Sequence, residues 1–97
     1  MDKLHSADVD RLFRAIRTLK TEEDCYDFFE DLCTIKEIGD MAQRLTTAVL
    51  LKKGENYQSI SEKANVSTAT ISRVSRCLNY GTGGYNKVLE ALEKEEP

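Results

Sequence analysis

From Ser67 to Arg76 the chain reads STATISRVSR, a run rich in short hydroxyls and guanidinium groups. Ser67, Thr68, Thr70 and Ser72 can bond to phosphate oxygens or base edges. Arg73 and Arg76 can each grip a guanine with two hydrogen bonds or pair with a phosphate. Ile71, Val74 and Leu78 recur at spacings of three and four, which predicts one buried helical stripe. Thr68, Ala69, Ser72, Arg73 and Arg76 fall elsewhere on that helix. A helix with this outer surface is suited to the major groove of duplex DNA. Chemistry of bond breaking finds no comparable support. The chain has no paired Cys and His, no Gly-rich phosphate loop and no convincing acid–base pair, so catalysis is not expected.

The residues just before this helix must hold it outward. Tyr57, Ile60 and Ala64 predict a preceding helix with one apolar side. Ser61 is small and permits close helix approach. Asn65 tolerates the left-handed backbone of a tight helix exit. Val66 can plug the corner, and Ser67 is a good N-cap, because its hydroxyl can accept from an unpaired N–H of the next turn. Residues 57–78 therefore read as a helix-turn-helix. Lys52, Lys53 and Lys63 lie nearby and could add phosphate contacts.

The net charge of −3 is at first sight wrong for such a role, and its distribution resolves the conflict. Residues 1–43 carry eleven acids and six bases, a balance of −5. Residues 44–76 carry six bases and two acids, a balance of +4, and residues 77–97 carry a balance of −2. Screening limits charge reach to roughly 8–10 Å in physiological salt, so the local excess governs phosphate contact. The acidic remainder would limit nonspecific binding.

Ninety-seven residues suggest a single domain, 1–97. No apolar run approaches the ~20 residues of a membrane span. The N-terminal MDKLHSADVD lacks the apolar core of a signal peptide, so a cytoplasmic location is expected. Cys25, Cys33 and Cys77 form no close pair and His5 stands alone. No metal site is expected, and the thiols are expected to be reduced and mostly buried.

Positioning elements follow from apolar spacing and caps. Val9, Leu12, Phe13, Ile16 and Leu19 predict a first helix over about 6–20. Thr21, with Asp24 three residues on, predicts the start of a second, its core side formed by Tyr26, Phe29, Leu32 and Cys33. Thr34 and Glu37 form a capping box for a third helix reaching Lys53, with Ile38, Met41, Leu45, Ala48 and Val49 toward the core and Gly54 ending it. Asn79 to Gly84 is a loop by composition. Tyr85, Val88, Leu89 and Leu92 predict a sixth helix, and Glu93 to Pro97 a frayed tail. No strand pattern is present, so the expected fold is all-α with six helices. Residues 1–33 carry more apolar surface than two helices can enclose, which points to an intertwined homodimer dimerising through them.

The motifs TIKEIGDMAQR, LLKKGENYQSIS and ATISRVSRCLN, within about residues 26–94, make the chain resemble the bacterial tryptophan repressor family, and within it the YerC/YecD subgroup. The resemblance implies a six-helix intertwined homodimer that represses transcription from a near-palindromic double-stranded operator. It also implies an effector site. Arg44 and Arg73 match two arginines that hold the carboxylate and indole of tryptophan, and Thr34 matches a threonine at the pocket mouth. Val74 stands where the tryptophan-binding repressor has a glycine beside the indole. A valine there should fill ring space, so tight L-tryptophan binding is not expected. The turn before the reading helix is also one residue shorter. Arg44 has the plainer alternative of a phosphate contact or surface ion pair. No cofactor is expected, although a small-molecule effector stays open. The competing reading of the whole chain is a helical interaction or adaptor module without DNA binding, suggested by the acidic aromatic stretch EEDCYDFFED.

Overall fold

Six helices form in the computed structural model, which describes residues 3–95, and no strand occurs among them. The chain divides into two compact units, one ending at Ile35 and the other starting at Lys36.

The first unit contains α1 (Ala7–Ile16) and α2 (Glu22–Leu32). Ser6 caps α1, its Oγ accepting from the Val9 N–H at 3.1 Å. This helix ends four residues earlier than the expected limit of 20. The Thr18 hydroxyl donates to the Ala15 carbonyl at 2.7 Å, and the Thr18 and Leu19 N–H groups close tight turns on Ala15 and Ile16. Local side-chain bonding of this kind competes with helix continuation. The start of α2 is as read. Thr21 accepts from the Asp24 N–H at 3.0 Å, and the Asp24 carboxylate accepts from the Lys20 N–H at 3.2 Å. Glu22, Glu23 and Asp24 favour the positive end of the helix dipole.

No residue of α1 or α2 is buried. The expected core side of α2 is corrected accordingly: Tyr26 is 67% exposed and Leu32 48%, with Phe28, Phe29 and Cys33 half-buried. Apolar spacing identifies the greasy face but not what covers it. The thiols also depart from expectation, since Cys25 and Cys77 are exposed.

The second unit contains α3 (Ile35–Lys52) from its second residue on, α4 (Tyr57–Ala64), α5 (Thr68–Tyr80) and α6 (Gly84–Glu95). Gly54 ends α3 at φ +83°, a conformation costly for other L-residues, and the Glu55 N–H closes back on the Leu50 carbonyl at 3.2 Å. One core cluster joins Leu50, Ile60, Ala64 and Ile71, with Leu51 and Val66 packed against it. A second joins Ala48, Val74 and Leu89, flanked by Leu45, Val49, Leu78 and Leu92. Ile60 and Ile71 are fully buried, and each such side chain contributes about 1.5–3 kcal/mol. Thr47 is buried without penalty because its hydroxyl donates to the Gln43 carbonyl at 2.7 Å. Met41, expected inward, is 39% exposed.

Two boundaries differ from the sequence reading. α5 runs on through Asn79 and Tyr80, and the break falls at Gly81, where a Cβ would collide with the Cys77 carbonyl. α6 continues through Glu95, so Glu93 to Glu95 are helical rather than frayed. Pro97 and Glu96 lie outside the described residues. The Asn86 amide donates to the Leu78 carbonyl at 3.0 Å and ties the start of α6 to the end of α5.

Candidate nucleic-acid interface

Local chemistry builds the α4–α5 corner almost entirely. Asn56 caps α4, accepting from the Ser59 N–H at 2.9 Å. Asn65 leaves the helix in the left-handed region, at φ 55° and ψ 52°. The Val66 N–H reaches back to the Ser61 carbonyl at 3.3 Å, and the Ser61 hydroxyl donates to the Val66 carbonyl at 2.8 Å. The backbone N–H and carbonyl of Val66 are thus both satisfied within the turn, while the Val66 side chain packs on the core. Ser67 then caps α5, accepting from the Thr70 N–H at 3.2 Å. A tie from outside the motif completes the corner, because the Gln43 amide of α3 donates to the Asn65 carbonyl at 3.3 Å.

This corner fixes which way α5 faces. Ile71 and Val74 point into the core, at 0% and 1% exposure. Ser67, Thr68, Ala69, Ser72, Arg73 and Arg76 are exposed, and Thr70 is half-buried, its Oγ1 accepting from the Ser67 hydroxyl at 3.2 Å. The helix therefore offers a face of hydroxyl and guanidinium groups, as a groove-reading helix would. Lys52 and Lys53 are exposed at the end of α3, where cations suit the negative helix terminus.

Lys63 is exposed but engaged. Its ammonium lies 2.7 Å from Glu55 Oε1, and the Ser59 hydroxyl donates to the same oxygen at 2.6 Å. The Lys63 hydrogen bond, then that of Ser59, hold the Glu55 carboxyl below the usual carboxylate range, and the charges of Lys63 and Lys53 add to the effect. Sequence reading missed this cluster, since a pair eight residues apart matches no helical spacing. The Asn56 cap had a readable signal, Asn immediately before an apolar-periodic helix.

Arg44 and Arg73 come together. Both line an open depression of about 330 Å³, with Asp40, Gln43, Asn65, Val66, Ser67 and Thr70. Asp40 is also held by the Lys36 ammonium at 3.0 Å. Two guanidinium groups and two hydroxyls suit an anionic ligand, and Val66 is the one apolar side chain in the lining. Val74 is not among the lining residues. It packs with Ala48 and Leu89 in the core, at 1% exposure. Thr34 is exposed, immediately before α3.

Comparison with known proteins follows these features along nearly the whole chain. The sequence profile of the family described as Trp repressor protein matches residues 7–93. The uncharacterized protein YerC of Bacillus subtilis (strain 168) is 49% identical over 96 residues, covering 99% of this chain and 92% of that protein. The crystal structure of a TrpR-like protein from Eubacterium eligens ATCC 27750 superposes with a TM-score of 0.90 at 50% identity, covering 94% of each chain. A structure from Staphylococcus aureus also gives a TM-score of 0.90, at 46% identity over 94% of this chain and 91% of that one.

Proposed function

This chain belongs to the Trp repressor family, in its YerC-like subgroup, and on that premise we propose that it is a sequence-specific DNA-binding transcriptional regulator, acting as a repressor and reading the major groove as a homodimer. The family is one of transcription regulators whose members bind DNA. The observation that carries the proposal is the outward face of α5. A plain packing hairpin has no need to hold Ser67, Thr68, Ser72, Arg73 and Arg76 in solvent on a capped, well-anchored helix. Direct contacts from such a face would read bases, and Lys52 and Lys53 would set the register on phosphates.

The homodimer is supported by apolar surface that a single copy leaves open. α1 and α2 bury no residue, and Phe13, Tyr26 and Leu32 are each about half exposed or more, at 49%, 67% and 48%. In the second unit an apolar depression of about 560 Å³ is lined by Leu45, Cys77, Gly81, Thr82, Gly84, Tyr85 and Val88. A second copy of this chain is the occupant we assign to these surfaces, which would place two reading helices on one duplex.

The Arg44–Arg73 depression is the effector site of this reading. Its two guanidinium groups suit a carboxylate, and because valine stands at position 74 where the tryptophan-binding repressor has glycine, calorimetry is expected to find no tight L-tryptophan binding. A micromolar dissociation constant would overturn that expectation. The function as a whole is tested by selecting bound duplexes from random DNA, with and without a pool of amino acids. A palindromic consensus supports dimeric reading. Failure to retain any duplex at low salt favours the adaptor reading instead.

A further inference from the structure

Glu55 stands between two of the lysines that face DNA in the proposed reading. It lies just past Gly54, where the chain leaves α3, and its backbone N–H is fixed on the Leu50 carbonyl at 3.2 Å. The residue is therefore anchored at both ends: its backbone by the helix exit, its carboxylate by Ser59 and Lys63 of α4. The Glu55 side chain is 22% exposed and that of Lys63 59%, so the acid is the fixed partner and the lysine the mobile one. A lysine ammonium is a point charge on a flexible stem and can exchange one oxyanion for another.

We propose that Glu55 is an intramolecular competitor for Lys63: it occupies the ammonium that would otherwise meet a DNA phosphate, and so restrains binding to duplexes of any sequence. This rests on the DNA-binding reading above. The physical consequence has two parts. A lysine already paired with a carboxylate releases no condensed counterion when DNA arrives, so it adds nothing to the salt dependence of binding. If DNA does draw the lysine away, the ion pair must break first, which weakens binding by the strength of that pair. In both cases the restraint falls on phosphate contact and leaves base contacts from α5 untouched. Specificity is the difference between operator and nonspecific affinity, and a restraint on sequence-independent grip lets base contacts decide. The hydrogen bonds from Lys63 and Ser59 lower the pKa of Glu55 and keep it ionised across the physiological range, so the competitor is always present.

The test uses the full chain and a 30-base-pair duplex of mixed sequence, with affinity measured by anisotropy over a salt series. Gln at position 55 can still accept from the Ser59 hydroxyl but carries no charge. Glu55→Gln is expected to bind about two- to fivefold more tightly at low salt, the range of an exposed ion pair, and to steepen the slope of log K on log salt by up to about 0.9. Glu62→Gln removes the same charge from exposed α4 without touching Lys63, and is expected to gain less. In a Lys63→Met background, Glu55→Gln is expected to give no gain beyond that of Glu62→Gln. Equal gains from Glu55→Gln and Glu62→Gln, or a full gain retained without Lys63, would overturn the proposal in favour of a general charge effect. Unchanged affinity and slope in a folded Glu55→Gln protein would also overturn it while leaving the regulator reading intact. No duplex binding by the unaltered chain would remove both.

Discussion

Arg76 is the cleanest probe of the reading face, because it is exposed on α5 and, among the described residues, forms no ion pair. Arg76→Ala should weaken operator binding and, if the group grips a phosphate, lower the salt slope by about 1. Relaxed preference at one operator position with an unaltered slope would instead mark a base contact. Asn65 tests the corner that aims this face. Its φ of 55° suits Asn and Gly and strains other L-residues. Asn65→Ala is expected to cost about 1–2 kcal/mol in denaturant unfolding, whereas Asn65→Gly should leave stability nearly unchanged. Equal effects from both substitutions would mean that the side chain, and not the backbone conformation, matters there. Lys63 carries a different lesson. Its type and position suggested a phosphate contact, yet its ammonium is engaged by Glu55 at 2.7 Å. Residue identity names the charge, and the neighbour determines its availability.

Among the elements, α4 and α5 depend on each other through Ile60, Ala64, Val66 and Ile71, and on α3 through Leu50. Each helix is short, and helices of this length are marginal in water without packing. Ile71→Ala should therefore destabilise the protein by about 2–5 kcal/mol, read from chemical unfolding, and should weaken DNA binding although no DNA-facing group is changed. A loss below about 1 kcal/mol would contradict the tight packing seen around that side chain. Helix starts were well marked in the sequence where Thr21 and Ser67 are caps whose bonds span three residues, and the Ser6 cap of the same kind emerged from the structure. Helix ends were less legible. Thr18 closes α1 early through a hydroxyl bond to Ala15, and α5 persists through Asn79 and Tyr80 until Gly81 breaks it.

For the whole molecule, the apolar surface that one copy leaves open sets the prediction. Val88 is 49% exposed and lines the larger apolar depression. Val88→Glu should place a charge in the assigned homodimer interface and shift sedimentation from dimer toward monomer, with helix content by circular dichroism largely kept. A sedimentation profile identical to that of the unaltered protein would exclude this depression from the interface. The charge layout acts at the same level. A basic segment with a balance of +4 lies between acidic flanks, and the screening length keeps its influence local.

Local order was written openly in the sequence: six helices, the caps at Thr21 and Ser67, the left-handed exit at Asn65 and the outward hydroxyls and arginines of α5. Each depends on residues within four or five positions, where backbone geometry dictates which groups meet. Long-range meetings were not legible. Gln43 bonds to the Asn65 carbonyl across 22 positions and Glu55 captures Lys63 across eight, while the meeting of Arg44 and Arg73 around one depression was reached only through the family resemblance. Val74 was expected on the buried stripe of α5, and the structure names the partners of that stripe, Ala48 and Leu89. Spacing along a helix fixes which side chains share a face, but the partner of that face depends on how separate helices close against one another.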